Sequence, residues 1–199
     1  MAVAAQSRKR PPEVLTGDEV RNLIGACSNR APTGIRNRAL IAVLWRCGLR
    51  VGEALALEPR DVDLEAGTVR VRHGKGDRSR TVGVDDGTQA LLARWLDRRQ
   101  RLGVNGRRRL FCKLDGGPLA QSYVRHLLRR LADKQGIERR VHPHALRHSY
   151  AAELAREGVP MNVLRDALGH SRLATTDRYL RNVAPVHVIE TMRRREWAL

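Results

Sequence analysis

Between Asp61 and Val84 the apolar residues stop recurring at helical spacing and alternate instead, and this one switch limits the folds open to the chain. Val62, Leu64, Val69, Val71, Thr81, Val82 and Val84 are interleaved with polar residues, the two-residue repeat of half-buried strands. Glu65-Ala66-Gly67 and His73-Gly74-Lys75-Gly76-Asp77 supply the turns. The block therefore predicts a three-stranded antiparallel sheet made of two hairpins, with Lys75 at or near the second tip. A sheet this small cannot build a core alone, so the flanking segments must supply the rest.

Those segments read as helices. Thr16-Gly17-Asp18-Glu19 has capping-box spacing, so a helix starts near Gly17 and is expected to end near Ser28. A second runs from about Thr33 to Cys47, with Ile35, Ala39, Leu40, Val43 and Leu44 at the spacing of a buried helix and Gly48 as its C′ residue. A third opens at about Val51, which leaves Arg50 at a helix-to-helix turn. Beyond the sheet, helices are expected from Thr88 to Leu102, from Ala120 to Lys134, from Pro143 to near Gly158, and from Val159-Pro160 to Leu168-Gly169. Short helices follow through Tyr179, and Ala184 to Leu199 carries an apolar stripe of Val186, Ile189 and Met192. The expected class is α+β: mostly helical, with one small three-stranded antiparallel sheet. Residues 1–14 lack periodicity and read as a basic linker or arm, residues 15–183 as the domain, and residues 184–199 as a C-terminal segment available for contact between protomers.

Charge narrows the partner. The 199 residues carry a formal net charge of +17, and a chain this basic repels itself until a polyanion neutralises it. Nucleic acid is the leading partner. A membrane surface is the rival, but no segment is a long apolar span or a basic amphipathic helix with a bulky aromatic face. Cys27, Cys47 and Cys112 are odd in number and widely spaced; they read as buried thiols rather than a disulfide framework or zinc ribbon. The opening MAVAAQSRKR has no apolar core of a signal peptide, and the expected location is the cytoplasm, on the nucleoid. Arg8, Lys9 and Arg10 are candidate phosphate contacts or simply a solvated tail, and Arg78 and Arg80 beside the second turn are counted as DNA contacts too.

A cluster of polar residues is left over after the core is assigned. Arg50 follows a Gly-Leu turn and stands three residues before Glu53, which is placed to orient its guanidinium. Arg147 lies between Leu146 and His148 on a helix whose Ala145, Ala151 and Ala152 imply close packing. His144 and His148 are four apart, a spacing that also suits a metal, yet no glutamate or cysteine completes a zinc motif. Of three tyrosines, Tyr123 and Tyr150 have leucines four residues away and read as core. Tyr179 alone sits among polar residues, Thr175, Thr176, Asp177, Arg178 and Arg181. Lys75 is one of four lysines among 38 basic Lys and Arg residues, flanked by glycines; it is either a turn lysine touching a phosphate or an acid that can release a proton, as arginine cannot.

Val141 to Tyr179, together with Gly48-Leu49-Arg50-Val51-Gly52-Glu53 and Gly74-Lys75-Gly76, resembles the catalytic core of the tyrosine recombinases, also called phage-integrase-type site-specific recombinases, from about Leu15 onward. The resemblance implies a domain that breaks and rejoins DNA through a 3′-phosphotyrosine bond with neither metal nor nucleotide cofactor. Arg50 and Arg147 become clamps on the charged transition state, a task suited to bidentate guanidinium groups. His144 becomes the proton-handling or phosphate-contacting histidine, and His148 a support. His170, otherwise a helix C-cap, becomes a phosphate hydrogen-bond donor. Tyr179 becomes the nucleophile and Lys75 the general acid for the leaving 5′-oxygen. A monomer in solution that forms a tetramer only on DNA, with accessory DNA-bending proteins, is also implied. The family's N-terminal core-binding domain is expected to be absent. The alternatives are a type IB topoisomerase-like strand swivelase, which shares the chemistry, and a DNA-binding regulator without activity.

Overall fold

The computed structural model describes residues 14–72, 79–104 and 108–169, together with Arg193 and Arg195. Its axis is a helix buried on nearly every side. α1 spans Gly17–Gly25 and α2 spans Pro32–Arg46. In α2, Ile35, Ala39, Leu40, Ile41, Ala42, Val43 and Leu44 are all buried, because the two alanines let neighbouring helices approach while the branched residues fill the gaps between them. α3 (Val51–Ala56), the strands β1 (Val62–Asp63), β2 (Thr68–Val71) and β3 (Arg80–Gly83), and the helices α4 (Asp86–Arg101), α5 (Gln121–Lys134), α6 (Pro143–Arg156) and α7 (Met161–Leu168) follow in order. α1, α3, α4 and α6 pack on α2. Trp95 of α4 is fully buried, and its indole N–H donates to the Leu110 carbonyl at 2.8 Å.

The sheet has the order β1-β2-β3, antiparallel throughout, with Val69 opposite both Val62 and Val82. Val69, Val71 and Val82 are buried, so the sheet turns one face to the helices as the alternation predicts. The α+β expectation holds for the described residues. The three cysteines are free and buried, as expected, and burial pushes the Cys47 thiol up to about 12. Among the described residues no helix is long and apolar enough to cross a membrane.

Boundaries differ from the sequence reading where side chains cap backbone groups. α1 ends at Gly25 rather than Ser28, because the Ser28 hydroxyl accepts from the Arg30 and Ala31 N–H groups and so serves the turn into α2. α4 begins at Asp86 rather than Thr88, because Asp85 is the N-cap and accepts from the Thr88 N–H at 2.8 Å. Leu64 and Val84 fall just outside the strands. Tyr123 is only partly buried; its hydroxyl accepts from the buried Arg36 and from the Asn37 amide. The second hairpin turn and the segment through Tyr179 lie outside the described residues.

Gly48 joins the fold to the site. Its φ is +58°, and a Cβ there would lie 2.2 Å from the Tyr150 ring. Gly48→Ala is expected to cost about 3 kcal/mol, from the left-handed backbone and the forced contact together. That corresponds to roughly 6–12 °C in the thermal transition of a chain this size. Gly103→Ala, where φ is +69° but nothing lies within 4 Å of the added carbon, is expected to cost only about 1 kcal/mol. Thermal denaturation of the two variants side by side checks this; equal shifts would contradict it.

Candidate active site

The site forms where the C-terminus of α7 meets the loop after α2. The last carbonyls of an α-helix have no partner within the helix and carry the negative end of its dipole. Here three consecutive carbonyls each accept from a different arginine. Ala167 accepts from Arg80 Nε at 3.0 Å, Leu168 from Arg147 Nη2, and Gly169 from Arg50 Nη2 at 3.3 Å. Gly169 itself has φ +60° and ψ +46°, the left-handed stop that ends the helix where the sequence predicts.

Arg50 is the residue at the head of α3. Its backbone N–H donates to Glu53 Oε2 at 2.9 Å and its Nη1 to Glu53 Oε1 at 2.7 Å. Glu53 therefore holds Arg50 by two hydrogen bonds, while about a third of the arginine side chain stays exposed. Arg147, on α6, is only 2% exposed. Its Nη1 donates to the Gly48 carbonyl at 2.6 Å and lies 3.9 Å from Glu53 Oε2. The two arginines expected to form a pair, 97 positions apart in the chain, are thus anchored around one carboxylate and one helix end.

His144 stands one turn before Arg147, exposed at the edge of this cluster. Its ring meets that of His148 edge-on at 4.2 Å between centroids and stacks loosely on His142 at 6.5 Å. Partial burial, then the positive charges of Arg147, His142 and Arg50, hold its pKa below the ordinary 6.5. His144 is therefore neutral near pH 7 and able to accept a proton. His148 is buried behind it. Burial alone would raise the Glu53 pKa, but the hydrogen bonds from Arg80 and from the Arg50 backbone outweigh it and hold the carboxyl at about 2. Three guanidinium groups share this one carboxylate, which leaves the cluster positive and suited to an oxyanion.

Arg80, expected to contact DNA, has a side chain that is 11% exposed and points inward. Nη1 and Nη2 donate to the two Glu53 oxygens at 3.1 and 2.8 Å. The signal was present: Arg80 and Val82 lie two apart on β3 and share its buried face. Lys75, Arg78, His170 and Tyr179 lie outside the described residues, as do Arg8, Lys9 and Arg10. Tyr150 is buried, and that burial raises its phenol pKa, which disfavours it as a nucleophile. Among the described residues no group of three His, Cys, Asp or Glu is placed to hold a metal. A separate cleft of about 620 Å3, lined by residues such as Arg21, Trp45 and Glu153, contains none of the candidate catalytic side chains.

Residues 13–184 match the model of the phage integrase family. The chain belongs to that family. An integrase-family protein named tyrosine recombinase XerC, from Xanthomonas axonopodis pv. citri (strain 306), is 38% identical over 181 residues, covering 89% of this chain and 58% of the relative. A tyrosine recombinase XerA from Thermococcus kodakarensis is 39% identical over 172 residues, covering 84% and 57%. The chain thus spans under three fifths of the length of these curated relatives. Among solved structures, a XerA recombinase superposes with a TM-score of 0.80 at 30% identity, covering 98% of this chain and 68% of that one. A XerH site-specific recombinase bound to palindromic difH substrate, a post-cleavage complex, superposes with a TM-score of 0.77 at 29% identity, covering 94% and 54%.

The low Glu53 pKa has a stability consequence. Its value in the folded chain lies below the ordinary 4.5, so its contribution is complete above pH 4.5 and is lost as pH falls towards 2. The amount is on the order of 3 kcal/mol. Glu53→Gln is expected to be less stable than the wild type at pH 6 and to lose less between pH 6 and pH 3. Denaturant unfolding at the two pH values checks this; an unchanged acid limb in the variant would contradict it.

Proposed function

We propose that this chain carries the catalytic centre of a site-specific DNA recombinase that cuts and rejoins double-stranded DNA through a covalent 3′-phosphotyrosine. The observation that carries the reading is the pairing of Arg50 and Arg147 on shared anchors, with neutral His144 beside them. A phosphodiester under attack gathers charge on its non-bridging oxygens, and fixed guanidinium donors lower the cost of that charge. In the proposed step the Tyr179 oxygen bonds to phosphorus and its proton passes to His144. The bond to the 5′-oxygen breaks, and Lys75 protonates that oxygen as it leaves. His170 adds a hydrogen bond to the phosphate. The covalent link conserves the bond, so rejoining needs no nucleotide. The relatives described above are named recombinases, which favours recombination over the swivelase and regulator alternatives. A DNA substrate puts the work on the nucleoid, in the cytoplasm.

A suicide duplex nicked near the cleavage site tests the chemistry. Wild type is expected to form a protein–DNA adduct that survives denaturant, and Tyr179→Phe to bind the same duplex without forming one. Lys75→Ala is expected to slow adduct formation by roughly 10²–10⁴ and to recover on a substrate with a 5′-bridging sulfur, whose departure needs no proton. An adduct from the Phe variant would overturn the nucleophile assignment. Equal slowness of the Ala variant on both substrates would overturn the acid.

Assembly is proposed to require DNA. Val186, Ile189 and Met192 precede Arg193, Arg194 and Arg195 in the sequence. Three apolar side chains are too few to offset the several kcal/mol of freedom lost on association, and the net charge adds repulsion. Light scattering at micromolar protein is expected to report a monomer without DNA and a larger species with it; a stable tetramer without DNA would contradict this.

A further inference from the structure

Arg80 has the charge of a phosphate ligand, but its three side-chain nitrogens tie two elements of the protein to each other. Nη1 and Nη2 grip the two Glu53 oxygens as a fork, and Nε donates to the Ala167 carbonyl at 3.0 Å. Each Glu53 oxygen is also held by Arg50: Oε1 accepts from Arg50 Nη1 at 2.7 Å, and Oε2 from the Arg50 N–H at 2.9 Å. Arg80 thus ties β3 to the carboxylate that orients Arg50 and to the helix end that receives Arg50 and Arg147. A Cβ on Gly169 would lie 2.9 Å from Arg80 Nη1, so the arginine also fills the space directly against the residue that ends α7.

We propose that Arg80 is a positioning residue of the recombination centre: it touches no DNA, and by holding Glu53 and the α7 terminus together it sets the spacing of Arg50 and Arg147. The proposal rests on the function given above. Lysine cannot take its place, because an ammonium lacks the planar fork that meets both carboxylate oxygens and has no third nitrogen for the Ala167 carbonyl. Without Arg80, Glu53 keeps Arg50 and the more distant Arg147 as partners, so the fold survives while the clamp loses its fixed geometry. Displacing a reacting group by about 1 Å costs on the order of 10²-fold in rate.

The test compares wild type, Arg80→Met and Arg80→Lys in the full chain. Three quantities are measured well below each variant's unfolding transition: single-turnover adduct formation at saturating nicked duplex, duplex affinity as a function of salt, and thermal stability. The expected result is a fall of about 10²-fold in the saturated rate for both variants, with the salt slope of binding unchanged. If Arg80 contacts a phosphate, the slope instead falls by about 0.9 and the saturated rate stays near wild type, which overturns the proposal. If Arg80 is only a structural ion pair, the transition temperature falls and the saturated rate of folded protein does not, which overturns it equally. Should the Met variant fail to fold, the Lys variant decides, since it keeps the charge beside Glu53 and loses the fork; a wild-type rate in Arg80→Lys sinks the proposal. A wild type that forms no adduct would reject the recombinase reading itself, whereas an active wild type matched by its variants rejects the Arg80 role alone.

Discussion

Three backbone carbonyls at one helix end govern the arrangement of the site. Residues 167, 168 and 169 each present an oxygen that the helix cannot satisfy internally, and Arg80, Arg147 and Arg50 arrive from β3, α6 and the head of α3 to accept that role. Buried carbonyls need donors, and buried guanidinium groups need acceptors. Each requirement meets the other here, so three segments remote in sequence are fixed relative to one another without help from a ligand. Gly48 completes the frame: its carbonyl receives Arg147, and its missing side chain lets Tyr150 pack against the turn.

The charge balance follows from this frame. Taking charges out of water is costly, and a buried pair recovers that cost only with good geometry and further hydrogen bonds. Glu53 has both, with four hydrogen bonds shared between Arg50 and Arg80. Arg50, Arg80 and Arg147 outnumber that one carboxylate, so the cluster keeps a net positive charge. Arg50 remains partly open, and partial burial, followed by the charges of Arg147, His142 and Arg50, lowers the His144 pKa.

The sequence carried much of this. The change of hydrophobic period located the sheet, and the buried pattern of α2 located the axis, because burial imposes spacing directly on residue type. Arg50 with Glu53, and His144 with Arg147, were legible because each pair lies within one turn, where spacing implies proximity. The inward position of Arg80 was legible from the strand, because Val82 two residues later marks the same face as buried. The reception of arginines by the α7 carbonyls had no sequence signature, since every residue has a carbonyl and only tertiary packing decides which are left for a partner. The helix ends at Gly25 and Asp86 shifted for a related reason: Ser28 and Asp85 each had a turn or cap role that outweighed the periodic pattern.

The central claim is that Arg50 and Arg147 hold a scissile phosphate while Arg80 holds the protein. A crystal structure of the chain on a nicked duplex tests it most directly. The predicted result is a phosphate whose non-bridging oxygens lie about 2.7–2.9 Å from the Arg50 and Arg147 guanidinium nitrogens, with Arg80 still forked onto Glu53. A phosphate bound to Arg80, with that fork broken, or a backbone that bypasses Arg50 and Arg147 altogether, would contradict it.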